Sequence, residues 1–107
     1  MKESVIISGI EYKLGYNLRV RMIYERIIGK PIGVDMLTFE NIVYFFSVLL
    51  AFNKDTFKFD LESFVDYIND HEDCYKDFLD WVIEYWNRQK DFQVQEEDNK
   101  SGVKKKL

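Results

Sequence analysis

The sequence predicts an α+β fold that is mainly α: an N-terminal β-hairpin, about four helices and a disordered C-terminal tail. Three observations lead there. Two short strand-like runs, 4–8 and 11–15, bracket Gly9 and Ile10 near the start. Downstream, apolar residues recur at helical spacing in four segments bounded by capping residues. From Gln93 the chain reads QVQEEDNKSGVKKKL, polar and without periodicity. At 107 residues, 47% of them apolar and 17% aromatic, the chain is long and hydrophobic enough to bury a single core. That core is expected within one domain, residues 1–92.

The hairpin comes first. Tyr12 and Leu14 alternate with Glu11 and Lys13, as on a half-buried strand, and Gly9 suits the bend. A first helix, about 17–28, starts at Asn17, a good N-cap, and stops at Gly29 before Lys30 and Pro31. The second helix, about 39–52, follows Thr38 as N-cap. Placed at 100° per residue it leaves one weakly polar strip, Glu40, Ser47 and Ala51, with Asn41 apart. A helix apolar nearly all round belongs at the centre of a fold. Asp60 caps the third helix, about 61–69, whose Leu61, Phe64, Val65 and Ile68 share one face. The fourth helix, about 72–90, follows a break at 69–71.

Charge and composition narrow the function classes. Net charge is −4 with pI near 5.0, which argues against wholesale binding to nucleic acid or anionic lipid. The charge is uneven: residues 1–30 carry a net +3 and residues 60–80 a net −7. The acidic stretch reads first as a solvated face, and second as a docking surface for a basic partner. Arg19 and Arg26 fall on one side of the first helix; two solvated arginines account for them more simply than a phosphate stripe. Cys74 is the only cysteine, which excludes an internal disulfide and fits a reducing compartment. The apolar run 5–10 is too short for an export signal, and 42–52 too short to span a bilayer, so a soluble cytoplasmic protein is expected.

Catalytic motifs are missing from the sequence: no phosphate-binding glycine loop, no dinucleotide fingerprint, no nucleophile elbow. His71 and Cys74, three apart among Asp70, Glu72 and Asp73, are the one arrangement with metal or thiol chemistry to offer. A single His and a single Cys leave a tetrahedral site short of ligands, and Cys74 reads more simply as a small apolar residue. No cofactor, no metal and no enzymatic activity are expected.

Surplus apolar surface is the stronger signal. On the fourth helix the apolar residues cover about 200°, roughly twice the stripe that one core contact needs. One edge of that arc holds Trp81, Tyr85 and Phe92; the other holds Leu79, Ile83 and Trp86. Either other elements flank this helix on two sides or one edge meets a partner. The first helix repeats the pattern. Val20, Ile23, Tyr24, Ile27 and Ile28 form the arc expected in the core, and Leu18 and Met22 form a second strip, covered by the hairpin or by another chain. Leu18, Met22, Trp81, Tyr85, Trp86 and Phe92 are therefore the expected partner-binding residues.

The order of elements also carries a family resemblance. Gly9-Ile-Glu-Tyr-Lys-Leu14 leads into a helix with Tyr24-Glu25 that ends Ile28-Gly29-Lys30-Pro31, followed by an apolar helix and the acidic entry FKFDLESF at 57–64. Over about 4–90 the chain resembles the tail assembly chaperones of long-tailed bacteriophages and prophages, in which a G-K-x-Y-x-L hairpin precedes a helix ending F-E-x-x-T-G-K. Ile10 stands where a polar turn residue is usual, Tyr24 replaces Phe and Ile28 replaces Thr. The resemblance implies a non-catalytic role in the host cytoplasm: holding the tape measure protein soluble, helping to recruit tail tube protein, and leaving before the virion matures. Such proteins are often accompanied by a longer product made by frameshifting, and a slippery adenine run in the codons of Lys104, Lys105 and Lys106 is the corresponding expectation. A small self-associating structural or adaptor protein of a prophage or mobile element is the second reading, and a His71/Cys74 enzyme the third.

Overall fold

A computed structural model describes residues 3–104, with side chains as far as Gln89. The expected hairpin and four helices are present in the expected order. Strands β1 (Ser4–Ile7) and β2 (Ile10–Lys13) pair antiparallel, with Ile7 opposite Ile10. Ser8 and Gly9 between them both have positive φ, 52° and 78°. That pair of values is a two-residue turn of the kind whose twist matches the strands, and glycine takes its share without strain. The alternation turns Val5, Ile7, Tyr12 and Leu14 inward.

Helices α1 (Leu18–Ile28), α2 (Thr38–Phe52), α3 (Leu61–Asp70) and α4 (Glu72–Lys104) follow. Asn17 Oδ1 accepts from the Val20 N–H at 3.1 Å, and Gly29 closes α1 at φ 87° with its N–H on the Glu25 carbonyl. Asp60 Oδ1 caps α3 by accepting from the Ser63 N–H at 2.8 Å. The start of α2 differs from the expected one. Leu37, not Thr38, holds the cap position, and Glu40 reaches back to accept from its N–H at 2.8 Å.

Helix α2 is the centre of the fold. Val43, Tyr44, Phe45, Phe46, Val48 and Leu49 are all buried, each worth roughly 1.5–3 kcal/mol against exposure for the aliphatic and Phe side chains. Phe45 stacks flat on Phe78 of α4 at 4.3 Å and meets the edge of Phe64 of α3 at 5.1 Å. The expected polar strip on this helix is turned inward. Ser47 is fully buried and satisfied by donating to the Val43 carbonyl at 2.7 Å. Glu40 is nearly buried and ion-paired with Lys30 at 2.7 Å. A polar group can face the core when a partner stands beside it, and a wheel of one helix cannot show that partner.

The hairpin is fixed from both sides. Asn53, at the end of α2, pairs with the Lys13 peptide in both directions: Oδ1 accepts from its N–H and Nδ2 donates to its carbonyl, each at 2.9 Å. On the other strand the Cys74 thiol donates to the Ile6 carbonyl at 3.1 Å, and Tyr67 Oη accepts from the Ser8 N–H at 3.0 Å.

The backbone of α4 is helical to Lys104, past the expected end near Lys90. The lysines at 105 and 106 lie outside the described residues.

Candidate protein-binding surface

One groove lies along α1 and α2. Leu18, Met22, Ile23 and Ile27 line it from α1, and Phe46 and Leu50 from α2, around a cleft of about 730 Å³. Leu18 and Met22 are 64% and 62% exposed, so the hairpin does not cover them. Of the two covers the sequence left open, the hairpin is excluded. Ile27, expected in the core, is 38% exposed and belongs to the groove wall instead. Val20 and Tyr24 alone fill the buried face of α1, with Ile28 half-buried beside them. Eleven residues make three turns, and the contact with α2 needs only one narrow stripe of them.

Arg19 and Arg26 stand among these apolar walls. Neither is held by an ion pair or a hydrogen bond among the described residues. Lys30, just beyond the helix, is different: its ammonium is tied to Glu40, which holds the lysine pKa above and the carboxyl pKa below their usual ranges.

A second apolar cleft, about 420 Å³, opens where the loop 30–37 meets α4. Val34 of the loop and Ile83 of α4 are exposed at its rim, with Trp86 partly so. Trp86 is anchored by donating from Nε1 to Tyr44 Oη at 3.2 Å and by edge contact with Tyr16. Burial pushes the Tyr44 hydroxyl far above the usual tyrosine range, so it is neutral and fit to accept that bond.

The expected α4 residues therefore separate. Trp81 is corrected: at 2% exposure it is a core residue, packed on Phe78 and Tyr85, and offers a partner nothing. Tyr85 is half-buried between Trp81 and Tyr16. Among the described members of the set on α4, Trp86 is the exposed one, beside the exposed Ile83. The side chain of Phe92 lies outside the described residues. The groove members Ile23, Ile27, Phe46 and Leu50 were not expected. The sequence signal for them is the width of the apolar arc on α1, which exceeds what the buried face uses.

No family model, no characterised protein and no solved structure matches this chain.

His71 and Cys74 are both engaged elsewhere. The imidazole Nδ1 donates to the Tyr67 carbonyl at 2.9 Å and the ring stacks on Tyr67 at 3.9 Å. The thiol points to the Ile6 carbonyl, and burial, with Asp77 and Asp73 adding to it, pushes its pKa up. Both side chains thus tie chain segments together. No three His, Cys, Asp or Glu among the described residues are grouped to hold a metal ion. No described helix is long and apolar enough to cross a membrane.

Proposed function

We propose that this chain is a tail assembly chaperone of a long-tailed bacteriophage or prophage, which binds the tape measure protein and keeps it soluble in the host cytoplasm. The observation that carries the proposal is the open groove of α1 and α2, where Leu18, Met22 and Ile27 stay exposed in a chain with ample core elsewhere. A helix-lined apolar groove receives the apolar face of another helix, the mode by which amphipathic segments are captured. A long helical client presents many such faces. The G-x-E-Y-x-L hairpin and the YERIIGKP helix end add the family resemblance. In this role no bond is made or broken, and the protein leaves before the virion matures. Recruitment of tail tube protein belongs to the same proposal.

Co-expression tests it. A tape measure fragment that precipitates alone should move to the soluble fraction and co-purify with this protein. The double variant Leu18→Ser, Met22→Ser should lose the fragment while keeping its helical circular dichroism. A fragment that stays insoluble and unbound beside the unchanged protein refutes the proposal.

The second cleft favours a second reading, a self-associating structural or adaptor protein, because Val34, Ile83 and Trp86 expose apolar surface away from the groove. Light scattering on the eluting protein separates the two: a monomer without client speaks for the chaperone, and a stable oligomer for the adaptor.

A further inference from the structure

We infer that the α1–α2 groove selects an amphipathic helix of a partner protein whose apolar stripe is flanked by two acidic residues seven positions apart. The inference rests on the groove-binding reading above and adds the chemistry of the client.

Both walls of the groove are helices whose backbone groups are already bonded along their own axes, so an extended peptide lying between them finds no backbone donors or acceptors. A helix brings its own satisfied backbone and asks the groove only for apolar contact. Phe46 and Leu50 give it a floor, and Leu18, Met22 and Ile27 its side. Methionine adapts its shape to such a partner.

Charge then sets the flank. Arg19 and Arg26 sit inside this apolar frame and meet no carboxylate among the described residues. Seven residues of α-helix advance about 10.5 Å, so carboxylates at positions i and i+7 of a helix running alongside α1 reach both arginines together. A basic client helix meets two exposed cations without carboxylate partners and is disfavoured.

The α3 helix of a second copy of this chain fits less well. The acid-rich α3 carries Glu62, Asp66 and Asp70, but its apolar face, Phe64 and Ile68, is spent in the core. It offers acid without an apolar stripe.

The test uses the full chain and two fluorescein-labelled three-heptad peptides with leucine at the core positions, one with glutamate flanks seven apart and its twin with lysine there. Fluorescence anisotropy should show the glutamate peptide binding about tenfold or more tightly than the lysine twin, with the difference shrinking as salt rises. The charge-reversed variant Arg19→Glu, Arg26→Glu should invert the preference, which a merely misfolded variant does not do. Equal binding of the two peptides, binding of neither, or a preference unchanged by the reversal overturns the inference, as does a dimer that blocks the groove. The two claims fail separately. A charge-reversed variant that still solubilises the tape measure fragment as well as the unchanged protein sinks the inference and leaves the chaperone reading. Tight capture of the glutamate peptide beside an insoluble fragment does the opposite.

Discussion

Asn53→Ala is the most informative single perturbation of the fold. Asn53 ends α2, its own N–H bonding the Leu49 carbonyl at 2.9 Å, while its side-chain amide pairs both ways with the Lys13 peptide. Nδ2 also reaches the Leu49 carbonyl at 3.1 Å. One carboxamide thus stands in for a missing strand neighbour of β2. Alanine removes these bonds and leaves the Lys13 N–H and carbonyl to water. Each is worth about 0.5–1.5 kcal/mol net, and the site is partly exposed, so the low end applies and the loss sums to roughly 1–2 kcal/mol. For a domain of this size that lowers Tm by about 5–15 °C. Urea unfolding read by tryptophan fluorescence and far-ultraviolet circular dichroism should show a lower midpoint at unchanged slope. Asn53→Asp sharpens the case. It keeps the acceptor but sets a carboxylate against two carbonyl oxygens at the negative end of a helix, so at neutral pH it should be no more stable than alanine. An alanine variant within about 0.3 kcal/mol of the parent, or an aspartate variant clearly above alanine, would refute the pairing account.

Three further expectations follow from the geometry. Phe45→Ala empties the space between the Phe78 and Phe64 rings and should cost about 3–5 kcal/mol in the same urea assay, with Phe45→Leu recovering much of it; a loss under about 1 kcal/mol would mean the core recloses freely. The Glu40 carboxyl is held low by Lys30 and by the Leu37 N–H, so its stabilisation is present above the unfolded pKa near 4.3 and fades as pH falls through the lower folded value. Accordingly, Glu40→Gln should be less stable than the parent at pH 7 and equal to it in strong acid, and a gap that persists or grows in acid contradicts the ion pair. Finally, the raised thiol of Cys74 should react with a disulfide reagent about tenfold or more slowly in the native protein than in urea at pH 7, and equal rates would show that the contact with Ile6 is not formed.

Local signals were well readable in this sequence, and contacts between distant residues were not. Asn17, Gly29 and Asp60 act on the backbone within a few positions, so each helix end they govern is where the residues place it. The all-round apolarity of 39–52 correctly marks the buried centre. A helical wheel, however, fixes angles within one helix and says nothing about which neighbour fills each angle. Hence Ile27 turned out on the groove wall, Trp81 in the core, and Ser47 and Glu40 inward. The loop 30–37 had no periodicity to read, yet it supplies Val34 to the second cleft and Lys30 to Glu40. The exposure of Leu18 and Met22 was legible because α1 carries more apolar residues than its one contact face can bury. Arg19 and Arg26 read in the sequence as ordinary solvated charge, and their place along the groove was not visible there.

The two bonds that hold the first strand carry a consequence for how the chain is made. Ile6 waits for Cys74, 68 residues later, and Ser8 for Tyr67, 59 residues later. Translation therefore delivers Val5 and Ile7 long before the helix that lies along their strand. The α1–α2 pair, close in sequence, can meet while synthesis is still under way, but the hairpin cannot be clamped from both sides until α4 has left the ribosome. A nascent chain cut or stalled before residue 72 is left with an apolar ribbon and half a clasp, so the strand that comes first in the sequence is the last to be secured.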